Sequence, residues 1–325
     1  MPNTPATAPA PQILLALATC TGYLAITNKL TISHHHTAHD DVGSHADDAR
    51  MRRRCAPARL LHRRLPSCTI LAIHALPVLR ARFLPYGSRA TGTKKLHRDQ
   101  QQQQPSAFVR ALDYAAALQV PHNYFTHFYL TSVTCSLFWA VWHPLWQAQA
   151  LQQAVWALLL LQGVRRMLES FAYMSSSKST MSVAHWFMGL VFYLSINMAI
   201  WVETPANHVI QWALVPAVVV AQVLQHYYHA YLYRLRTQNT DYQLPLHPLF
   251  PNLLCPHYTC EVAIYALLSI IAAPNGSILN PTLACGTVFV ATNLGVTAVG
   301  TKEWYVNKFG LHRVRSRKRM VPGLW

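Results

Sequence analysis

The chain has 325 residues, 52% of them apolar and only 12% charged, and its 27 Lys and Arg against 11 Asp and Glu leave a formal net charge of +16. A soluble domain of this size would need far more charge than residues 123–300 carry, where apolar stretches follow one another with short polar breaks. The cationic excess lies outside those stretches, in 50–98 and 302–319; without a nucleic-acid-binding motif beside it, it reads as the flanks of membrane helices, and no nucleic acid is expected as a partner.

Taken from the amino terminus, residues 11–32 are long enough to cross a bilayer and read as the first helix of a bundle rather than a cleaved signal, since no small-residue cleavage site stands out. Residues 33–64 turn polar and basic, with His34, His35, His36 and His39 ahead of Arg52, Arg53 and Arg54. Imidazoles this dense can bind metal, but nothing there would hold them in place, so a disordered tract without a metal site is expected. Residues 65–87 are interrupted by His74, Arg80 and Arg82 and broken by Pro66, Pro77 and Pro85, which makes them interfacial rather than spanning. A low-complexity linker with Lys94, Lys95, Arg98 and the run Gln100 to Gln104 follows. Residues 1–110 are therefore a variable region with one transmembrane helix, and 111–325 form the main membrane domain.

Six spans are expected there, near 123–146, 151–173, 182–203, 208–234, 258–273 and 278–300. The fold class is an all-α, multi-pass transmembrane bundle of about seven helices. The tail carries Lys302, Lys308, Arg313, Arg315, Arg317, Lys318 and Arg319, which the positive-inside rule places in the cytosol. Six spans then put residue 122 on the same side, and one crossing at 11–32 leaves the amino terminus in the lumen. The 7 cysteines show no paired zinc-type spacing, and their odd number gives no disulfide framework, so free thiols are expected.

Ionisable groups inside bilayer helices are costly, and here they cluster. The second span of this domain ends with Gln162, Arg165, Arg166 and Glu169 within two turns, which could be a functional group or an ion pair at a helix end. In the fourth, Gln225, His229 and Arg236 return to nearly one face, a stripe suited to a polar ligand or to a buried structural network. Tyr227, Tyr228, Tyr231 and Tyr233 interleave with it, as an aromatic belt would. His257 and Glu261 lie four apart at a helix start, where imidazole, carboxylate and free amides could hold a ribose, an amide or a phosphate, unless Glu261 merely caps. The cations after Thr301 suit phosphates or anionic lipid headgroups equally. No Rossmann-type glycine fingerprint, phosphate loop or zinc-protease motif is present, so a dinucleotide would have to enter a cavity among the helices.

In this order and spacing the clusters resemble the steroid 5-alpha-reductase family. Its Asn/Gln, Asp/His and Arg stripe is similar to Gln225, His229 and Arg236, its helix-start pair to His257 and Glu261, and its terminal signature to Trp304, Tyr305, Lys308, Phe309, Arg315, Lys318 and Pro322. The similarity covers about residues 120–325. Within the family the polyprenol-reductase branch is the one resembled, through the run from Val120 to Tyr129, through Gln162, Arg165, Arg166 and Glu169, and through Pro256, His257 and Tyr258. Where steroid-acting members carry a Gln-Glu pair this chain has His127 and Phe128, and Pro245, Leu246, His247 and Pro248 replace a glycine-containing loop.

The resemblance implies a bundle enclosing a cavity for NADPH and a lipid, in an endoplasmic reticulum membrane with the carboxy terminus cytosolic. The implied reaction saturates the double bond nearest the oxygenated end of a long polyisoprenoid, giving a dolichol-type lipid for protein glycosylation. An aldehyde is the easier substrate, because negative charge arriving with hydride can move onto oxygen. His127, Tyr129 and His257 are the expected catalytic groups; Arg165, Arg166, Gln225, His229, Arg236, His257, Glu261, Tyr305, Lys308 and Arg315 the expected NADPH contacts; Phe128, Gln162 and Glu169 the expected substrate contacts. Surrounding membrane lipids are the other expected partners. Two rivals are a reductase of 3-oxo-4-ene steroids or trans-2-enoyl thioesters on the same fold, and a non-catalytic lipid-binding protein.

Overall fold

The computed structural model describes residues 110, 113–114, 117–174 and 179–324. The expected crossing at 11–32, the histidine tract, the interfacial stretch and the glutamine linker lie outside the described residues. Within them the chain is mostly helical: α1 Phe125–Trp142, α2 Ala150–Ala172, α3 Val183–Ala199, α4 Val209–Thr237, α5 Pro256–Ile271, α6 Pro281–Phe309 and the short α7 Leu311–Val314. The first six coincide with the six expected spans to within a few residues, except that α6 runs on past Gly300 to Phe309. The change from apolar to charged composition marks where this helix leaves the apolar layer and not where it stops; Gly310, at φ 85°, stops it.

Local chemistry sets the starts. Asn280 accepts from the amides of Thr282 (3.1 Å) and Leu283 (3.0 Å), with Pro281 in the first turn of α6. Ser182 accepts from His185 N at 3.2 Å and opens α3. Gln211 reaches back to the amide of His208 at 2.7 Å in a capping box that opens α4. Two short strands also form: β1 Gln119–Pro121 pairs antiparallel with β2 Thr180–Ser182, tying the entrance of α1 to that of α3. Three residues per strand leave no alternation for a sequence pattern to carry.

Among the described residues two helices, α4 and α6, are long and apolar enough to cross a membrane, and α3 is a shorter apolar helix, a composition that fits a membrane protein. The helix α5 has only 16 residues, and α2 carries Arg165, Arg166 and Glu169. Neighbour relations close into a ring: α1 lies against α2 and α3, α2 against α4, α4 against α5, α5 against α6, and α6 against α3. The half of this ring away from the basic tail is filled by one apolar core that includes Leu151, Val155, Ile196, Ile264, Leu268, Leu283 and Phe289. At its far end a cavity of about 360 Å³ is lined by His143, Gln152, Trp201 and Glu203, remote from the expected NADPH contacts.

Helices approach closely where glycine replaces a side chain. A Cβ on Gly189 of α3 would meet the ring of Phe128 of α1 at 2.6 Å, so the ring or the helix must shift. Gly189→Ala is expected to cost about 1–3 kcal/mol in thermal unfolding of the purified protein, and Phe128→Leu in the same chain to recover part of it. An unchanged melting temperature would show that Phe128 has room to move.

The tail folds back on the segment before α5. Lys318 N donates to Asn252 O (2.7 Å), and Leu254 N and Cys255 N donate to the carbonyls of Lys318 (3.0 Å) and Arg319 (2.9 Å). Arg317 is buried and donates to the carbonyls of Pro245 and Pro251, and the Tyr231 hydroxyl accepts from Leu246 N at 2.8 Å. The Pro245–Pro248 stretch is thus pinned from both sides. His247 sits among the rings of Tyr227, Tyr228 and Tyr231 and accepts on Nδ1 from Leu249 N at 3.2 Å. Burial, helped by the Arg234 guanidinium, holds this imidazole below its ordinary range. The unfolded segment therefore takes up a proton first as pH falls. The packing of His247 is at full strength above the ordinary imidazole value of 6.5 and weakens as pH drops below it. Hydrogen exchange of amides 244–254, corrected for intrinsic rates, should accelerate between pH 7.5 and 5; equal protection would refute the assignment. Among the described residues, Cys135 and Cys260 are free thiols.

Candidate active site

At the basic end of the ring the apolar core gives way to a polar cluster. Its residues come from α2 (Gln162, Arg165, Arg166, Glu169), α4 (Gln225, His226, His229), α5 (His257, Glu261) and α1 (Tyr129). The α2 set falls at i, i+3, i+4 and i+7, so one face presents all four. Glu169, 4% exposed, is the hub. Its carboxylate accepts from Arg165, from Arg166 at 2.5 Å, and from Nδ1 of both His226 and His229 at 2.7 Å. A carboxylate cannot donate, so Nδ1 of His229 must carry hydrogen; the contact of Arg166 with the same nitrogen at 2.8 Å is then a close approach and not a second hydrogen bond. The other amino group of Arg166 donates to the Tyr129 hydroxyl at 2.6 Å, and the guanidinium lies 4.8 Å from that ring's centre.

A second layer is built from amides. Gln225 Oε1 accepts from Arg165 and, at 3.0 Å, from Gln162 Nε2, while Arg165 also donates to Gln162 Oε1 at 2.7 Å. Gln225 Nε2 donates to Glu261 and to the carbonyl of His257 at 3.2 Å, and Gln162 Nε2 reaches Glu261 at 3.2 Å. Glu261 is therefore tied to the interior and does not cap α5, whose amino end has no side-chain cap. The ring of His257 stacks on Tyr228 at 5.4 Å and stands edge-on to His229 at 5.2 Å. Two guanidinium groups face two carboxylates, the pairing of opposite charges that a cluster taken out of water requires.

Two buried nitrogens in this cluster, Nε of Arg165 and Nδ1 of His257, have no hydrogen-bond partner. An unmet buried polar atom costs about 1–3 kcal/mol, so each is a place where a polar ligand would be favoured. Donors, amides and carboxylates gathered beneath a basic rim form a set suited to a nicotinamide dinucleotide, with its carboxamide and its phosphates.

Not every expected site residue is gathered in. His127 lies against Tyr124 (4.4 Å) and Trp186 (6.1 Å), because two positions along a helix from Tyr129 turn it about 200° away. Phe128 walls the α1–α3 contact beside Phe125 and Tyr193. Gln162 and Glu169, expected at the substrate, engage Arg165, Arg166 and the imidazoles instead. Arg236 shares the face of Gln225 and His229 but stands seven residues, about 10 Å, further along α4. There its guanidinium lies 4.1 Å from the ring centre of Tyr242, with Lys308 at 5.2 Å from the same ring, in a separate exposed rim. Arg315 is exposed in the tail after α7. Tyr305 packs against the small apolar cluster of Leu254, Cys255, Val314 and Met320. Conversely, His226 was not among the expected residues, although its spacing of three from His229 was a readable signal. Nor was Arg317, one cation in a basic run.

Residues 172–325 match the family model described as 3-oxo-5-alpha-steroid 4-dehydrogenase. The chain is 28% identical over 209 residues to the polyprenal reductase of Saccharomyces cerevisiae, covering 63% of this chain and 75% of that protein. It is 24% identical over 188 residues to the polyprenal reductase of Xenopus tropicalis, covering 51% of this chain and 58% of that one. A shorter match, 35% identical over 96 residues, is to polyprenal reductase 1 of Oryza sativa subsp. indica, of which the chain spans 26%.

Proposed function

We propose, from the premise that the chain belongs through residues 172–325 to the steroid 5-alpha-reductase family, that it is an NADPH-dependent reductase of polyprenal. It would saturate the isoprene double bond next to the oxygenated carbon and yield the precursor of a dolichol-type lipid used in protein glycosylation. The observation that carries this reading is the meeting of Arg165, Arg166, Gln225, His229, His257 and Glu261 directly above an apolar core. A hydride acceptor with a long hydrocarbon body needs both environments within reach of one another. The names of the relatives support the substrate class.

In this reading Arg165, with its unmet Nε, and Arg166 hold the phosphates of the dinucleotide. Gln225, Glu261 and the unmet Nδ1 of His257 orient its carboxamide, with His229 fixed by Glu169 behind them. NADPH held there would supply the hydride that the carbon distal to the carbonyl takes up. Tyr129 accepts a hydrogen bond from Arg166 on its oxygen, which leaves its own hydrogen free to serve as proton source for the carbon next to the carbonyl. The basic rim of Arg236, Lys308 and Arg315 faces the cytosol, and the compartment is the endoplasmic reticulum. The six helices α1 to α6 span the membrane.

Incubating the purified protein with NADPH and polyprenal should give a product two hydrogen masses heavier, identified by mass spectrometry. The family description favours one second reading, a 3-oxo-4-ene steroid as substrate. Product from the steroid alone would replace the proposal with it, and product from neither would overturn both.

A further inference from the structure

Beneath the polar cluster lies a layer of phenols that the reading above does not use. His257, Glu261 and Tyr265 follow at i, i+4 and i+8 on one stripe of α5, each about 6 Å deeper into the ring than the last. Tyr265 is 1% exposed, and its hydroxyl completes no hydrogen bond of full geometry; the Glu261 carboxylate, one turn above, is its polar neighbour. Its ring stands edge-on to Phe192 of α3 at 5.6 Å. Tyr193, the neighbour of Phe192, stands edge-on to Tyr129 at 5.6 Å, and the three hydroxyls share one electrostatic neighbourhood with Glu261 and Arg166. Tyr265 also belongs to the apolar core through Leu268, Ile264 and their neighbours. It therefore marks the boundary at which polar side chains end and hydrocarbon begins.

A buried phenol without a partner is costly, and at such a boundary the group that would satisfy it is the oxygen of a molecule that is otherwise hydrocarbon. We propose that Tyr265 is a substrate-binding catalytic residue, whose hydroxyl donates a hydrogen bond to the carbonyl oxygen of the lipid head. This rests on the reductase reading and extends it by separating two tasks. In the reaction hydride adds to the distal carbon of the double bond, the π electrons move toward the carbonyl, and charge gathers on its oxygen, which Tyr265 stabilises. The enolate then takes a proton at the proximal carbon from Tyr129, and solvent returns that proton to the phenol. A donor aimed where charge develops contributes more in the transition state than in the ground state.

The test is Tyr265→Phe in the full-length protein, which removes the hydroxyl and keeps the ring. Turnover of polyprenal at saturating NADPH is expected to fall about 100-fold, the scale of losing one oxyanion donor. NADPH affinity, read by nucleotide fluorescence, should be unchanged. The melting temperature should hold or rise, because an unmet polar atom has been removed; a purely structural hydroxyl would lower it and leave turnover of the surviving fold intact. Wild-type protein that converts polyprenal while Tyr265→Phe converts it equally well would overturn this inference alone. Wild-type protein that makes no product would overturn the reductase reading and this inference with it.

Discussion

Glu169→Ala is expected to cost about 3–5 kcal/mol, the largest loss of stability from any single change in the described cluster. The carboxylate is the meeting point of Arg165, Arg166, His226 and His229, and only 3% of its side chain is exposed. Removing it leaves two guanidinium groups facing each other in an interior of low polarity, with Glu261 the remaining counter-charge near them. Deleting one partner of a buried ion pair is costly because the survivor keeps its desolvation penalty and loses its compensation. Glu169→Gln, which keeps the shape, should recover a small part of the loss. Adding Arg166→Met to Glu169→Ala should recover more, because it removes a stranded charge. Thermal unfolding of the detergent-solubilised proteins measures all three. Equal melting temperatures for wild type and Glu169→Ala would mean that water reaches the cluster and that its ion pairs contribute little.

Tyr129→Phe should lower turnover of polyprenal about 100-fold, equivalent to about 2.7 kcal/mol of transition-state stabilisation, while NADPH affinity stays close to wild type. The hydroxyl accepts from Arg166 at 2.6 Å, and that cation draws electron density from it. Arg166 keeps Glu169 as a partner after the substitution, so the guanidinium should hold its place. A residue that transfers a proton leaves a distinctive trace: the loss should appear in kcat with little change in KM, and the solvent isotope effect on turnover should change. A variant with raised KM and normal kcat would make Tyr129 a binding group and leave the proton source to another hydroxyl of the phenol layer. Gly189→Ala and the pH dependence of the His247 segment probe the frame around the site rather than its chemistry, so their effects on turnover should follow their effects on stability.

Much of the site was legible because helical periodicity is a strong constraint. Gln162, Arg165, Arg166 and Glu169 on one helix, Gln225 with His229 on another, and His257 with Glu261 on a third each had to share a face whatever the tertiary arrangement. Charged groups inside apolar helices have few tolerable partners other than one another, so their convergence could be expected before any helix was placed. The same periodicity misled at Arg236: angular position recurs every seven residues, but axial rise does not cancel, and the residue emerges at the rim. His127 was misplaced for the complementary reason, two residues from Tyr129 along the chain and on the far side of α1.

What the amino-acid sequence determined by itself is the set of six helices in the described residues, to within a few residues at their ends, and which polar residues each carries on one face. These follow from apolar runs, capping side chains and the 3.6-residue turn, all local properties. The tertiary structure alone decided that Glu169 would gather four partners from two helices, that the Tyr265 hydroxyl would stand unsatisfied beneath Glu261, that three-residue strands would pair across the entrances of α1 and α3, and that Arg317 of the tail would be buried against the segment before α5. Those outcomes depend on which faces meet and at what depth. Side chains from separate segments share a site only when the rise along each helix brings them to the same level, and neither composition nor spacing within one segment encodes that.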